Sequence, residues 1–92
     1  MGYTVIVGPE AEAALRRLPP AVADCVRQEL RRLGDDPNGL GRPAVPPLKF
    51  DGQVFPFRCD VGGTRYYFYA LFRYGADEQA LHVEEFAIST LT

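Results

Sequence analysis

The chain of 92 residues is poor in the residues that build metal and cofactor sites. It has one histidine, His82, and two cysteines, Cys25 and Cys59, far apart in sequence. These have no metal-ligand spacing, and the Cys, His and carboxylate positions do not cluster, so no metal or organic cofactor is expected. Both cysteines read as buried free thiols in a reducing cytosol, with a disulfide as the alternative. No apolar stretch approaches bilayer length, and no charged leader precedes an apolar run at the N-terminus. These absences predict a soluble, cytoplasmic protein with no membrane partner. A strong basic charge is missing too. The formal net charge is −2, which argues against a generic nucleic-acid binder. Repeats, low-complexity segments and a second domain are also missing, so residues 1–92 read as one small domain.

The charge is nevertheless uneven. Residues 1–49 carry seven Lys/Arg against six Asp/Glu, and residues 50–92 carry three against six. Basic patches could therefore form in the front half.

The residues that are present divide the chain in two. Tyr3–Val7 is a β-branched run that predicts a strand. Pro9 suits the first turn of a helix over about residues 9–17, with Glu10 and Glu12 near its positive end. Pro19-Pro20 stops that helix and opens a second, which runs to about Leu33. Its apolar residues Val22, Cys25, Val26, Leu30 and Leu33 recur at helical spacing, and Gly34 suits a C-terminal cap. Loop chemistry fills 35–43. From there the chain reads as strands: a short edge strand at 46–50, Val54–Val61, Thr64–Tyr74 and Gln79–Ile88. Turns at Asp51-Gly52, Gly62-Gly63 and Gly75–Glu78 join them. The expected class is α+β: an N-terminal strand, a helical hairpin, then a four-strand antiparallel meander with the helices on one face.

If Gly62-Gly63 is a two-residue turn, Val61 pairs with Thr64, Asp60 with Arg65, Cys59 with Tyr66, Arg58 with Tyr67 and Phe57 with Phe68. Alternation then sorts the hairpin into two faces. Phe55, Phe57, Cys59, Val61, Tyr66, Phe68, Ala70 and Phe72 make a core face. Arg58, Asp60, Arg65, Tyr67, Tyr69 and Arg73 make a polar, aromatic one. Guanidinium groups grip phosphates and phenol rings stack on unpaired bases, so this face suits RNA. The same residues also admit a purely structural reading, with Asp60 paired to Arg65 and Arg58 lying over the Tyr67 ring.

The ordered set of elements resembles the RelE/ParE toxin superfamily of bacterial type II toxin–antitoxin modules. The resemblance covers nearly the whole chain. It is carried by YTVIVGPEAEAALRRLP, the DPNGLG loop, the LKF segment at 48–50 and the hairpin FRCDVGGTRYYFY. In that hairpin, Arg58, Gly62 and Arg65 match the family pattern Tyr-Arg-x-Arg-x-Gly-x-x-Arg. The resemblance implies a small antiparallel sheet packed on a helical hairpin and a cognate antitoxin as partner. Members similar to RelE cut mRNA on the ribosome as mRNA interferases; members similar to ParE inhibit DNA gyrase. Carried onto this chain, the endoribonuclease reading makes Arg58 and Arg65 the catalytic pair, with Lys49, Tyr67 and Arg73 binding RNA. The gyrase reading draws on Arg16, Arg17, Arg27, Arg31 and Arg32 of the helices. A third reading is a degenerate member that only binds its antitoxin. Three departures bear on the choice, the first being an acidic overall charge where ribosome-directed members are commonly basic. Asp60 stands at the motif's second arginine, and LHVEEFAIST replaces a last strand ending in His-Arg…Tyr. His82 is then a candidate acid or base.

Overall fold

The computed structural model describes residues 2–46, 49–76 and 79–91. Eight elements follow one another: β1 (Thr4–Val7), α1 (Pro9–Arg16), α2 (Pro20–Asp35), α3 (Pro37–Leu40), β2 (Arg42–Pro43), β3 (Gln53–Val61), β4 (Thr64–Tyr74) and β5 (Ala80–Leu91). They form one five-stranded sheet in the order β1-β5-β4-β3-β2. The meander is antiparallel from β2 to β5, and β1 joins its far edge parallel to β5. The sheet is thus mixed rather than a meander alone. Among the described residues, no helix is long and apolar enough to cross a membrane.

Local chemistry accounts for the helices. Pro9 opens α1, Glu10 and Glu12 lie in its first turn and Arg16 in its last, each matched to the helix dipole. Its buried residues are Ala11 and Leu15, one turn apart. On α2 the stripe Val22, Val26, Leu30 and Leu33 is buried against the sheet. Gly34 is not the cap expected of it, because α2 continues to Asp35. Gly34 marks the close approach of β1 instead. The Tyr3 N–H donates to the Gly34 carbonyl at 2.8 Å. A Cβ on Gly34 would lie 3.0 Å from Val5 Cγ2.

The helices cover the face of the sheet that carries Phe55, Cys59, Phe68, Ala70, Phe72, Leu81 and Val83, all buried. Phe57, Val61 and Tyr66 pack against this core, so all eight residues assigned to the core face lie there. The Phe57 and Phe68 rings stack at 5.0 Å between centroids. The opposite face is not uniformly wet. Val54 and Leu71, cross-strand partners, are buried there. Near them the Arg73 guanidinium lies 4.4 Å from the centre of the Phe50 ring.

Three expectations change. The short edge strand forms at Arg42–Pro43, paired with Gln53 and Val54, and not at 46–50. Pro47 and Leu48 lie outside the described residues, and Lys49 and Phe50 are not in a strand. Past Val54, β3 is itself the sheet edge, where Pro56 is tolerated because no neighbour needs its missing N–H. The last strand extends to Leu91, and residues 77–78 of the turn before it lie outside the described residues. Finally, Cys25 and Cys59 are not free thiols but form a disulfide, with their Cα atoms 6.2 Å apart. Helical spacing puts Cys25 beside Val22 and Val26, while alternation puts Cys59 on the helix-facing side of β3. Packing those two faces brings the sulfurs together.

Two outcomes are expected. The disulfide spans a sequence separation of 34 residues, so reduction should lower unfolding free energy by about 3–4 kcal/mol. Urea melts with and without reductant check this; coincident melts would show that the bond adds nothing. Gly62 and Gly63 have φ of 58° and 80° with open space where a Cβ would be. Gly63→Ala should therefore cost about 1–2 kcal/mol through backbone strain alone, read from the same melts.

Candidate nucleic-acid interface

The hairpin tip determines what the outer face presents. With both glycines at positive φ, the turn has the type I′ form that matches strand twist. The register is the expected one throughout, from Val61 opposite Thr64 to Phe57 opposite Phe68. Arg58, Asp60, Arg65 and Tyr67 consequently emerge together on the face turned away from the helices.

Asp60 stands at the centre of this group. Its Oδ1 accepts a hydrogen bond from Arg65 Nε at 2.8 Å, and its Oδ2 lies 3.3 Å from Arg58 Nε. One carboxylate thus holds two guanidiniums, leaving the trio one positive charge. The Arg65 pKa is raised further above its ordinary value, first by the hydrogen bond to Asp60 and then by the Tyr67 phenol. All three charged side chains are about half exposed. Arg58 pairs with Asp60 rather than adopting the expected stack on Tyr67. Among the described residues, the cation–π stacks belong to Arg73 over Phe50 and Arg32 over Phe55.

The five residues proposed for RNA separate into two groups. Arg58, Arg65 and Tyr67 share the hairpin tip. Arg73 is six residues further along β4 from Tyr67, about 20 Å at strand rise. It ion-pairs with Glu84 at 3.4 Å, and Lys49 is the chain neighbour of the Phe50 ring over which Arg73 lies. Glu84 is the bulge residue between Val83, opposite Phe72, and Glu85, opposite Leu71. His82 sits at this second end, directly opposite Arg73, with its ring against Gly75. It is therefore remote from Arg58 and Arg65.

The helix arginines are largely engaged by their neighbours. Glu12 lies 3.2 Å from Arg27 and 4.0 Å from Arg16, and Glu29 lies 2.7 Å from Arg32. Arg27 and Arg31 also rim a cleft of about 530 Å³ between α2 and β1, floored by Tyr3, Val5, Val7 and Leu30. A smaller trough of about 290 Å³ lies on the outer face, lined by Tyr67, Tyr69, Ala87, Ile88 and Ser89. Alternation puts Tyr69 on this face beside Tyr67. The trough next to it follows from the small size of Ala87 and Ser89, which only the β4–β5 register brings opposite the two rings.

The fold has solved counterparts. A chain of the RelBE2 toxin–antitoxin complex from Mycobacterium tuberculosis superposes with a TM-score of 0.64 at 21% identity, covering 97% of this chain and 100% of that one. An arginine-to-alanine mutant of the E. coli toxin RelE in the free state gives 0.59 at 12% identity, covering 95% and 83%. The intact E. coli RelBE toxin–antitoxin complex gives 0.57 at 12%, covering 92% and 94%. The fold is thus shared with these solved toxin–antitoxin chains, in keeping with the architecture that the sequence resemblance implied. No protein-family model and no curated protein matches the chain by sequence.

The central carboxylate yields a direct expectation. Asp60→Asn keeps the side-chain shape and releases both guanidiniums. Binding to a short single-stranded oligonucleotide should tighten, and the slope of log K against log salt should steepen by roughly 0.7–0.9, one phosphate contact. An unchanged slope would mean that Asp60 does not restrain the pair.

Proposed function

We propose that the chain is the toxin of a type II toxin–antitoxin module and inhibits translation by ribosome-dependent mRNA cleavage. The observation that carries this reading is the convergence of Arg58, Arg65 and Tyr67 on one solvent face at the tip of a hairpin. The fold shared with toxin–antitoxin complexes supports the toxin role.

In this reading Arg58 grips a phosphate, and Arg65 faces the scissile one, where negative charge grows as the 2′-hydroxyl attacks. A fixed cation there stabilises the transition state more than the ground state. Asp60 holds both guanidiniums in place before RNA arrives, so little side-chain entropy remains to be lost. Tyr67 stacks on a neighbouring base. Lys49 and Arg73, at the other end of the face, meet phosphates further along the message. Work on the ribosome puts the protein in the cytoplasm, where thiol reductants act on the Cys25–Cys59 bond.

The partner is a cognate antitoxin. The cleft between β1 and α2 suits it: β1 is an edge strand, and the floor is apolar with Arg27 and Arg31 at the rim. An extended segment carrying acidic residues could pair with the strand edge and reach those cations.

A second reading, a toxin that binds gyrase without catalysis or a member that only binds antitoxin, is favoured by the Asp60 carboxylate. It sits where a phosphate would otherwise meet two free arginines, and His82 is too distant to serve as their acid or base.

Induced expression with mRNA integrity and DNA supercoiling followed in parallel separates these readings. Arg58→Ala/Arg65→Ala should relieve growth arrest and cut message cleavage in a translating extract by about 10²–10³-fold. Full toxicity in the double variant would remove both residues from the mechanism. Intact message with lost supercoiling would transfer the target to gyrase.

A further inference from the structure

We propose that the trough between Tyr67 and Tyr69 on β4 and Ala87 and Ser89 on β5 is a seat for one unpaired nucleobase. This rests on the RNA reading above and extends it with a subsite next to the arginine pair.

Tyr67 and Tyr69 are two residues apart on β4 and so project from the same side. They are 39% and 47% exposed, whereas the phenylalanines Phe55, Phe68 and Phe72 of the same sheet are buried. The β4–β5 register sets Ser89 opposite Tyr67 and Ala87 opposite Tyr69. On the other side Arg58 stands opposite Tyr67 and Pro56 opposite Tyr69. Each ring is therefore flanked by a bulky neighbour on β3 and a small one on β5. The missing volume over Ala87 and Ser89 is the trough, about 290 Å³, at the lower end of small-ligand sites.

Charge selects the occupant and its orientation. Arg58 and Arg65, less Asp60, place one positive charge at the hairpin-tip end. A nucleotide fits this field with its phosphate toward Arg65 and its base lying along the rings. Every nucleobase has a π-face, so the seat tolerates any base, with the Ser89 hydroxyl free to donate or accept.

The test is an NMR titration of the full chain to millimolar concentration with an RNA trinucleotide, and with the same strand carrying one abasic residue. The intact strand should bind roughly 5- to 150-fold more tightly and shift the ring protons of Tyr67 and Tyr69. Tyr69→Phe should keep this preference, and Tyr69→Ala should abolish it while leaving the salt dependence of binding unchanged. Ala87→Leu, which fills the trough and leaves both tyrosines in the chain, should abolish it as well; the amide spectrum of each variant reports its fold. Equal binding of intact and abasic strands would overturn the base seat while phosphate recognition stands. So would a preference that persists in both Tyr69→Ala and Ala87→Leu. Binding of neither strand would overturn the nucleic-acid reading itself, and the seat with it.

Discussion

The register of the β3–β4 hairpin is the constraint on which the rest depends. Side chains alternate with a period of two, so a slip of one residue would drive Arg58, Asp60 and Arg65 into the helix-facing core and expose Phe57, Cys59 and Phe68. Two glycines at positive φ fix the reversal point, and the phenylalanine face fixes the same register independently through burial. The two requirements agree, so one register is specified where the hairpin carries charge.

The disulfide constrains the same segment from behind. Cys59 lies between Arg58 and Asp60 in sequence but points the opposite way, to Cys25 on α2. The strand segment that displays the arginines is thus covalently tied to the helix layer. In front, Asp60 spans both guanidiniums and trades net charge for fixed geometry. A phosphate arriving here would have to compete with a carboxylate already in place. This tip is weaker electrostatically than three free arginines would be, but better ordered, and it agrees with the mildly acidic balance of the chain.

The outer face is also divided along its length. At the tip it offers arginines and tyrosines over small β5 residues. At the other end Val54 and Leu71 are buried, the Phe50 ring lies under Arg73, and Glu84 bulges out to meet that arginine. Alternation puts Arg73 on the same face as Arg58 and Arg65, and there its guanidinium lies against a ring and a carboxylate. The helix arginines show the same effect, since Glu12 and Glu29 engage three of them.

Much of this was legible in the residues alone, because it follows from short-range rules. The β-branched run of β1, the proline-opened helices, the Gly-Gly reversal and the two faces of the hairpin need only local spacing and alternation. The superfamily resemblance followed from the same ordered elements. What the residues could not reveal depends on which surfaces meet. Cys25 and Cys59 looked like isolated thiols because sequence separation says nothing about the packing of α2 on β3. Gly34 looked like a cap, though its bareness serves the approach of β1 from the far end of the chain. The edge strand shifted from 46–50 to Arg42–Pro43, β1 closed on β5, and Tyr69 gained a trough from the small residues of β5. Each is a contact between separate segments of the chain, most of them distant in sequence, and only the folded sheet brings those segments together.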